Sequence, residues 1–116
     1  MSAGDWKEMY LAAQNGNIEL VRYHIEHDVN PNYQHPEILA TPLVAAIAAG
    51  HTNIALYLLE HKADPFLKSF FDDMNCIEAA RRYDNKAIIA YLEKRGISAR
   101  KSWKDLLPKW LARKIR

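Results

Sequence analysis

Apolar positions along the chain fall into short helical runs separated by polar stretches rich in turn formers. Ile54, Ala55, Leu58 and Leu59 lie at i, i+1, i+4 and i+5, a spacing that gathers them on one side of a helix. Leu20, Val21, His24 and Ile25 repeat that spacing, and Ile88, Ile89 and Leu92 repeat most of it. The runs are offset by 34 residues, and other columns keep the same phase: Ala12, Ala46 and Ala80, then Tyr23, Tyr57 and Tyr91. Gly16 and Gly50 align with Asp84, Asn30 and Asp64 with Ser98, and Pro31 with Pro65. Self-similarity at this period is the signature of a repeat protein, in which one unit cannot bury its apolar face alone and neighbours must stack.

Each copy reads as two short helices followed by an extended loop. The first helix of the middle copy opens at Thr41-Pro42, a capping hydroxyl followed by a residue suited to the first helical position. Asn75 with Glu78, and Asp5 with Glu8, have the spacing of a capping box and predict the corresponding starts. Gly16 and Gly50 predict the stops, since glycine takes the left-handed conformation freely. Asp84-Asn85 does the same in the third copy. Small residues on the first helices (Ala12, Ala13, Ala45, Ala46, Ala79, Ala80) let paired helices approach closely.

Thr41 to Asp64, T-P-L-V-A-A-I-A-A-G-H-T-N-I-A-L-Y-L-L-E-H-K-A-D, resembles an ankyrin repeat. The first copy, L-A-A-Q-N-G-N-I-E-L-V, keeps the helical part of that pattern and lacks the T-P opening. The third, E-A-A-R-R-Y-D-N-K-A-I-I-A-Y-L-E-K-R-G, lacks both the T-P and the inner glycine. The histidine of the family's T-P-L-H is replaced by Tyr10, Val44 and Glu78. The tail fits the same scheme, because Pro108 in L-P-K-W-L-A-R lies 66 residues after Pro42, two family periods of 33. The fold expected is therefore an all-α ankyrin solenoid: three helix-turn-helix repeats over about 5–38, 39–72 and 73–106 with hairpin-like fingers, and a half-repeat capping helix over 107–116.

The resemblance implies a scaffold that binds another protein through its concave face and fingertips. Carried over position by position, it points to Gln14, Asn15, Ala48, Ala49, Arg82 and Tyr83 on the first helices. It points to Glu37, Ile38 and Ala40 on the first finger, and to Phe70, Phe71, Asp72 and Met74 on the second. The second finger, P-F-L-K-S-F-F-D-D-M, carries a heavy apolar load for a loop. Phe66 and Leu67 are expected to cover the helices beneath, whereas Phe70 and Phe71 are either partner anchors or local packing. Tyr33, His35, Pro36 and Ile38 make the first finger a lesser version of the same case. So short a stack suits a dedicated inhibitor or adaptor better than a hub.

Composition bounds the alternatives. With 116 residues, 49% hydrophobic and 26% charged, and few glycines and prolines, the chain reads as one ordered domain. The single cysteine, Cys76, makes no internal disulfide, and no apolar run approaches the ~18 residues of a membrane span. No basic start followed by an apolar stretch marks a secretory leader, so a cytoplasmic monomer is expected. His24 and His27 stand at i, i+3, but no second ligand pair accompanies them, and His24 shares a column with Leu58 and Leu92; an inward, satisfied side chain is expected rather than a metal ligand. His27 and His61 share a column near helix ends, where imidazole suits the dipole. Cys76 occupies the position of Pro42 and reads as an inert thiol. Neither a phosphate-cradling glycine loop nor a G-x-S-x-G turn occurs, so no catalytic residue, cofactor or small-molecule substrate is assigned.

The net charge of +2 conceals an asymmetry. Ser98 to Arg116 holds seven basic residues (Arg100, Lys101, Lys104, Lys109, Arg113, Lys114, Arg116) against Asp105, while the preceding 97 residues hold nine basic and thirteen acidic ones. Trp103, Leu106, Leu107, Trp110, Leu111 and Ile115 fall at helical spacing among those cations, a pattern shared by helices that lie on membranes or enter partner grooves. Pro108 interrupts such a helix at ~3 kcal/mol and favours the cap. The alternative function is therefore polyanion or membrane-surface binding through 98–116, with nucleic acid and membrane ranked behind a protein partner.

Overall fold

A computed structural model describes residues 3–97 of the chain. Six helices follow one another as α1 (Ala3–Asn15), α2 (Ile18–Glu26), α3 (Pro42–Ala48), α4 (Thr52–Glu60), α5 (Cys76–Arg82) and α6 (Lys86–Lys94). Each odd helix pairs with the even helix after it. The odd helices pack α1 on α3 on α5, and the even ones α2 on α4 on α6, giving two parallel layers. The 34-residue period is carried into the backbone: α2, α4 and α6 begin at 18, 52 and 86.

The signals that start and stop the helices behave as their chemistry requires. Thr41 Oγ1 accepts the Val44 N–H at 3.1 Å, with Pro42 at the first helical position. Asn75 Oδ1 accepts the Glu78 N–H at 2.9 Å, while Glu78 Oε1 accepts the Asn75 N–H at 3.2 Å, closing a reciprocal box. The equivalent pair in the first copy does not cap. Helix α1 begins at Ala3, ahead of Asp5, and Glu8 is turned across to α2, where it accepts from His24. Asp5 lies instead within the first turn, where its charge still suits the helix dipole.

Left-handed residues recur in three columns, each set by a turn that repeats. Gly16, Gly50 and Asp84 hold φ of 85°, 83° and 47° after the inner helices. Asp28, Lys62 and Gly96 hold 64°, 75° and 77° after the outer ones, and Leu39 and Asp73 hold 53° and 56° within the fingers. The core is one continuous cluster along the stack, in which Val21, Ile54, Leu58, Ile88 and Leu92 are buried between the layers. Trp6 is also fully buried, its ring stacked on Tyr10 and His35 with centroids 5.3 and 5.7 Å away. It ties α1 to the root of the first finger. The capping helix expected over 107–116, like the basic segment, lies outside the described residues.

Candidate protein-binding surface

The inner helices and the fingers bring the candidate residues to one side of the stack, but at different depths. Gln14 and Asn15 are exposed at the end of α1, Ala49 at the end of α3, and Arg82 and Tyr83 at the end of α5; Ala48 is half-buried. Ala48, Ala49 and Tyr83 line one shallow depression of about 540 Å³ between the second and third repeats. At its edge Asn85 Nδ2 donates to Thr52 Oγ1 at 3.0 Å, locking the two repeats together.

The second finger closes on itself and on the first. Ser69 and Met74 form an antiparallel bridge, with N–H to carbonyl distances of 2.9 and 3.3 Å. Ser69 Oγ donates to Asp72 at 2.6 Å, and the Lys68 ammonium lies 2.8 Å from the Asp73 carboxylate. Their mutual charge holds the Asp73 carboxyl below the usual carboxylate range. From the first finger, the Leu39 carbonyl accepts the N–H groups of Phe70 and Phe71 at 2.8 and 3.3 Å. The Asn32 side chain donates to the Lys62 carbonyl at 2.8 Å and accepts the Asp64 N–H at 2.7 Å, and Gln34 donates to the Lys68 carbonyl at 3.0 Å. On this fixed platform Phe70 is 55% and Phe71 71% exposed.

Two candidates are misplaced by the sequence. Ala40 is 0% and Met74 7% exposed; each lies just before the cap residue of an inner helix, where the finger dives into the core, so neither can meet a partner from outside. Ile38 is half-buried against the core, Asp72 is half-buried, and Glu37 is exposed. Phe66, expected to cover the helices, is 62% exposed because its column is the one from which Asn32 reaches toward the next repeat. The sequence gave no sign of Leu39, an exposed leucine in left-handed backbone beside the phenylalanines. Nor did it show a groove of about 430 Å³ floored by Ile25, Val29 and Pro31 and edged by Asp28 and Glu60. That groove is made by residues about one repeat apart, which no local motif brings together.

The histidines diverge. His24 is buried and its Nε2 donates to Glu8 Oε1 at 2.8 Å, as its column suggested. His27 and His61 point outward; each donates Nδ1–H to the carbonyl four residues earlier at 2.7 Å and stacks on that residue's ring, Tyr23 or Tyr57. Cys76 is buried at the start of α5, and burial pushes its thiol pKa up to about 12, overriding any effect of the helix dipole. Among the described residues no helix is long and apolar enough to cross a membrane.

Stacked helix pairs with projecting fingers define an α-helical repeat scaffold whose exposed side is suited to binding. The match to a known family is direct: residues 9–102 fit the family model for ankyrin repeats, in three copies, and the chain belongs to that family. The family is one of protein–protein interaction modules, and this chain is one of them. Palmitoyltransferase AKR1 of Lachancea kluyveri is 46% identical over 57 residues, which are 49% of this chain and 8% of that protein. The chain thus matches a small part of that relative's length.

Proposed function

We propose that the protein is a non-catalytic inhibitor or adaptor dedicated to one protein partner, bound through the concave side and the fingers. The observation that carries this reading is the pair Phe70 and Phe71, exposed on a finger whose backbone is fixed by the Leu39 carbonyl. Aromatic side chains dominate interface hot spots, and a preordered loop loses little conformational entropy on binding. The depression floored by Ala48 and Ala49 beside Tyr83 extends the surface along the inner helices. Gln14, Asn15, Glu37 and Arg82 would form its polar surround.

The test is affinity capture from native lysate with the full chain and with Phe71→Ser, washed at rising salt. A stoichiometric protein that survives high salt on the wild type and is lost on the variant supports the reading; equal capture by both refutes it. The alternative reading, polyanion or membrane-surface binding, draws on the seven cations between Ser98 and Arg116. Capture dominated by them would collapse between low and moderate salt.

A further inference from the structure

The second finger presents toward the open end of the stack the group by which the first finger holds the second. Leu39 and Asp73 occupy the same column, and both are side-chain-bearing residues held left-handed, at φ 53° and 56°. Such strain persists where surrounding structure demands it. At Leu39 the demand is visible: the left-handed turn aims its carbonyl at the N–H groups of Phe70 and Phe71, 2.8 and 3.3 Å away. One period on, the corresponding donors for the Asp73 carbonyl are the N–H groups of Lys104 and Asp105.

The geometry points to a third finger, residues 98–105, laid against the second, with the Lys104 and Asp105 N–H groups on the Asp73 carbonyl and Trp103 as its buried anchor. The described chain leaves the third repeat at Ile97, in the column of Val29 and Ala63, from which the first two fingers also depart. Nineteen residues follow, more than the span requires. Trp103 falls in the column of His35 and Ser69, both of which are buried. Phe66 falls in the column of Asn32, whose side chain bridges to the start of the next finger at Lys62 and Asp64. A third finger beginning at Ser98 would therefore cover part of a ring that is now 62% exposed. Lys68, in the column of Gln34, is drawn to Asp73 at 2.8 Å, so the register would rest on backbone bonds. Charge favours the same contact: the first two fingers carry Glu37, Asp72 and Asp73, and the segment brings Arg100, Lys101 and Lys104.

In this arrangement Lys104 takes the column of Phe70, and the cations of the tail flank the aromatic pair. Protein binding and anion binding then describe one surface. That consequence rests on the function proposed above, whereas the packing of the third finger does not.

Amide hydrogen exchange of the full-length, isotopically labelled chain, read residue by residue by NMR, tests the packing without any partner. The amides of Lys104 and Asp105 should exchange about tenfold or more slowly than in an unstructured chain. Trp103→Gly should release both while leaving the amides of Ile88 to Leu92 protected. Asp73→Gly, which keeps the left-handed turn, should leave both protected. Free exchange at Lys104 and Asp105 in the wild type overturns the third finger. An unbroken helical run of protection from Ser102 to Leu107, or protection that survives Trp103→Gly, overturns it as well.

Discussion

The imidazole of His51 lies against the bare α-carbon of Gly16: a Cβ built there would stand 2.7 Å from Cε1 and 3.0 Å from Nε2 of that ring. Gly16 closes α1 in the first repeat and His51 opens α4 in the second, so the contact is part of the seam between repeats. Gly50, one period on, holds nearly the same φ, 83° against 85°, but a Cβ there would meet nothing within 4 Å. Gly50→Ala should therefore cost the backbone strain alone, about 1–2 kcal/mol. Gly16→Ala should cost about 1–3 kcal/mol more, because the histidine must also move. Paired denaturant melts measure the difference. Gly16→Ala in a His51→Ala background should fall back to the cost seen at Gly50.

The seam shows what kind of information a single sequence carries. The period, helix pairing, caps at Thr41 and Asn75 and stops at Gly16 and Gly50 were legible because each depends on neighbours in sequence or on a repeated column. Depth was harder to read. Ala40 and Met74 look like loop residues until the finger is seen to turn inward at the root of the helix, while Phe66 looks like a lid until its column is seen to face the next repeat. The aromatic knot around Trp6 joins α1 to a finger about 30 residues away, and no motif encodes it. The reading of Asp5 as a cap failed because Glu8, its box partner, is recruited by a buried histidine on another helix.

The outer-helix stops carry strain that can be relieved. Asp28 and Lys62 hold φ of 64° and 75°, where the third repeat has Gly96 at 77°. A left-handed side-chain-bearing residue costs ~1–2 kcal/mol, against the ~0.5–1 kcal/mol of extra chain entropy that glycine loses on folding. Lys62→Gly should thus raise stability by about 0.5–1 kcal/mol, read as an upward shift in the urea midpoint with an unchanged slope. Asp28→Gly should do the same. A lower midpoint for both would mean that the side chains, not the backbone, maintain these turns.

His24 and Leu58 occupy one column, and both are buried, yet they should respond in opposite ways. Leu58→Ala opens a cavity in the middle of the stack and should cost ~2–5 kcal/mol. His24→Leu supplies the side chain that the second and third repeats already carry. It gives up a hydrogen bond to Glu8, whose carboxylate is largely exposed, so the change should be neutral or stabilising. Glu8→Ala, by contrast, strands the buried imidazole and should cost ~1–3 kcal/mol. Thermal melts of the three variants at one pH decide the matter. An unaffected melt for Leu58→Ala would refute the placement of α4 against its neighbours.

Cys76 links burial to pH. Its thiol pKa is pushed up to about 12 by burial, so the native state keeps the proton well above the ~8.5 at which an unfolded cysteine loses it. Between those values the native chain binds more protons at this site than the unfolded one, and stability must fall as pH rises. Below ~8.5 both states are protonated and the site contributes no slope. Cys76→Pro is the matched control. The position is the first of α5, Pro42 fills it in the second repeat, and Asn75 before it is extended, as a residue preceding proline prefers. That variant should be as stable as the wild type or better by ~0.4–1 kcal/mol near neutral pH, since proline narrows the unfolded ensemble. It should lose less stability than the wild type between pH 8.5 and 10.5, where the two chains differ only by the missing thiol. The same burial predicts that a disulfide-exchange reagent at pH 8 labels the wild type only as fast as the chain opens, with denaturant restoring full reactivity. Rapid labelling of the folded chain would place the thiolate within reach of solvent and contradict the packing of α5 on α3.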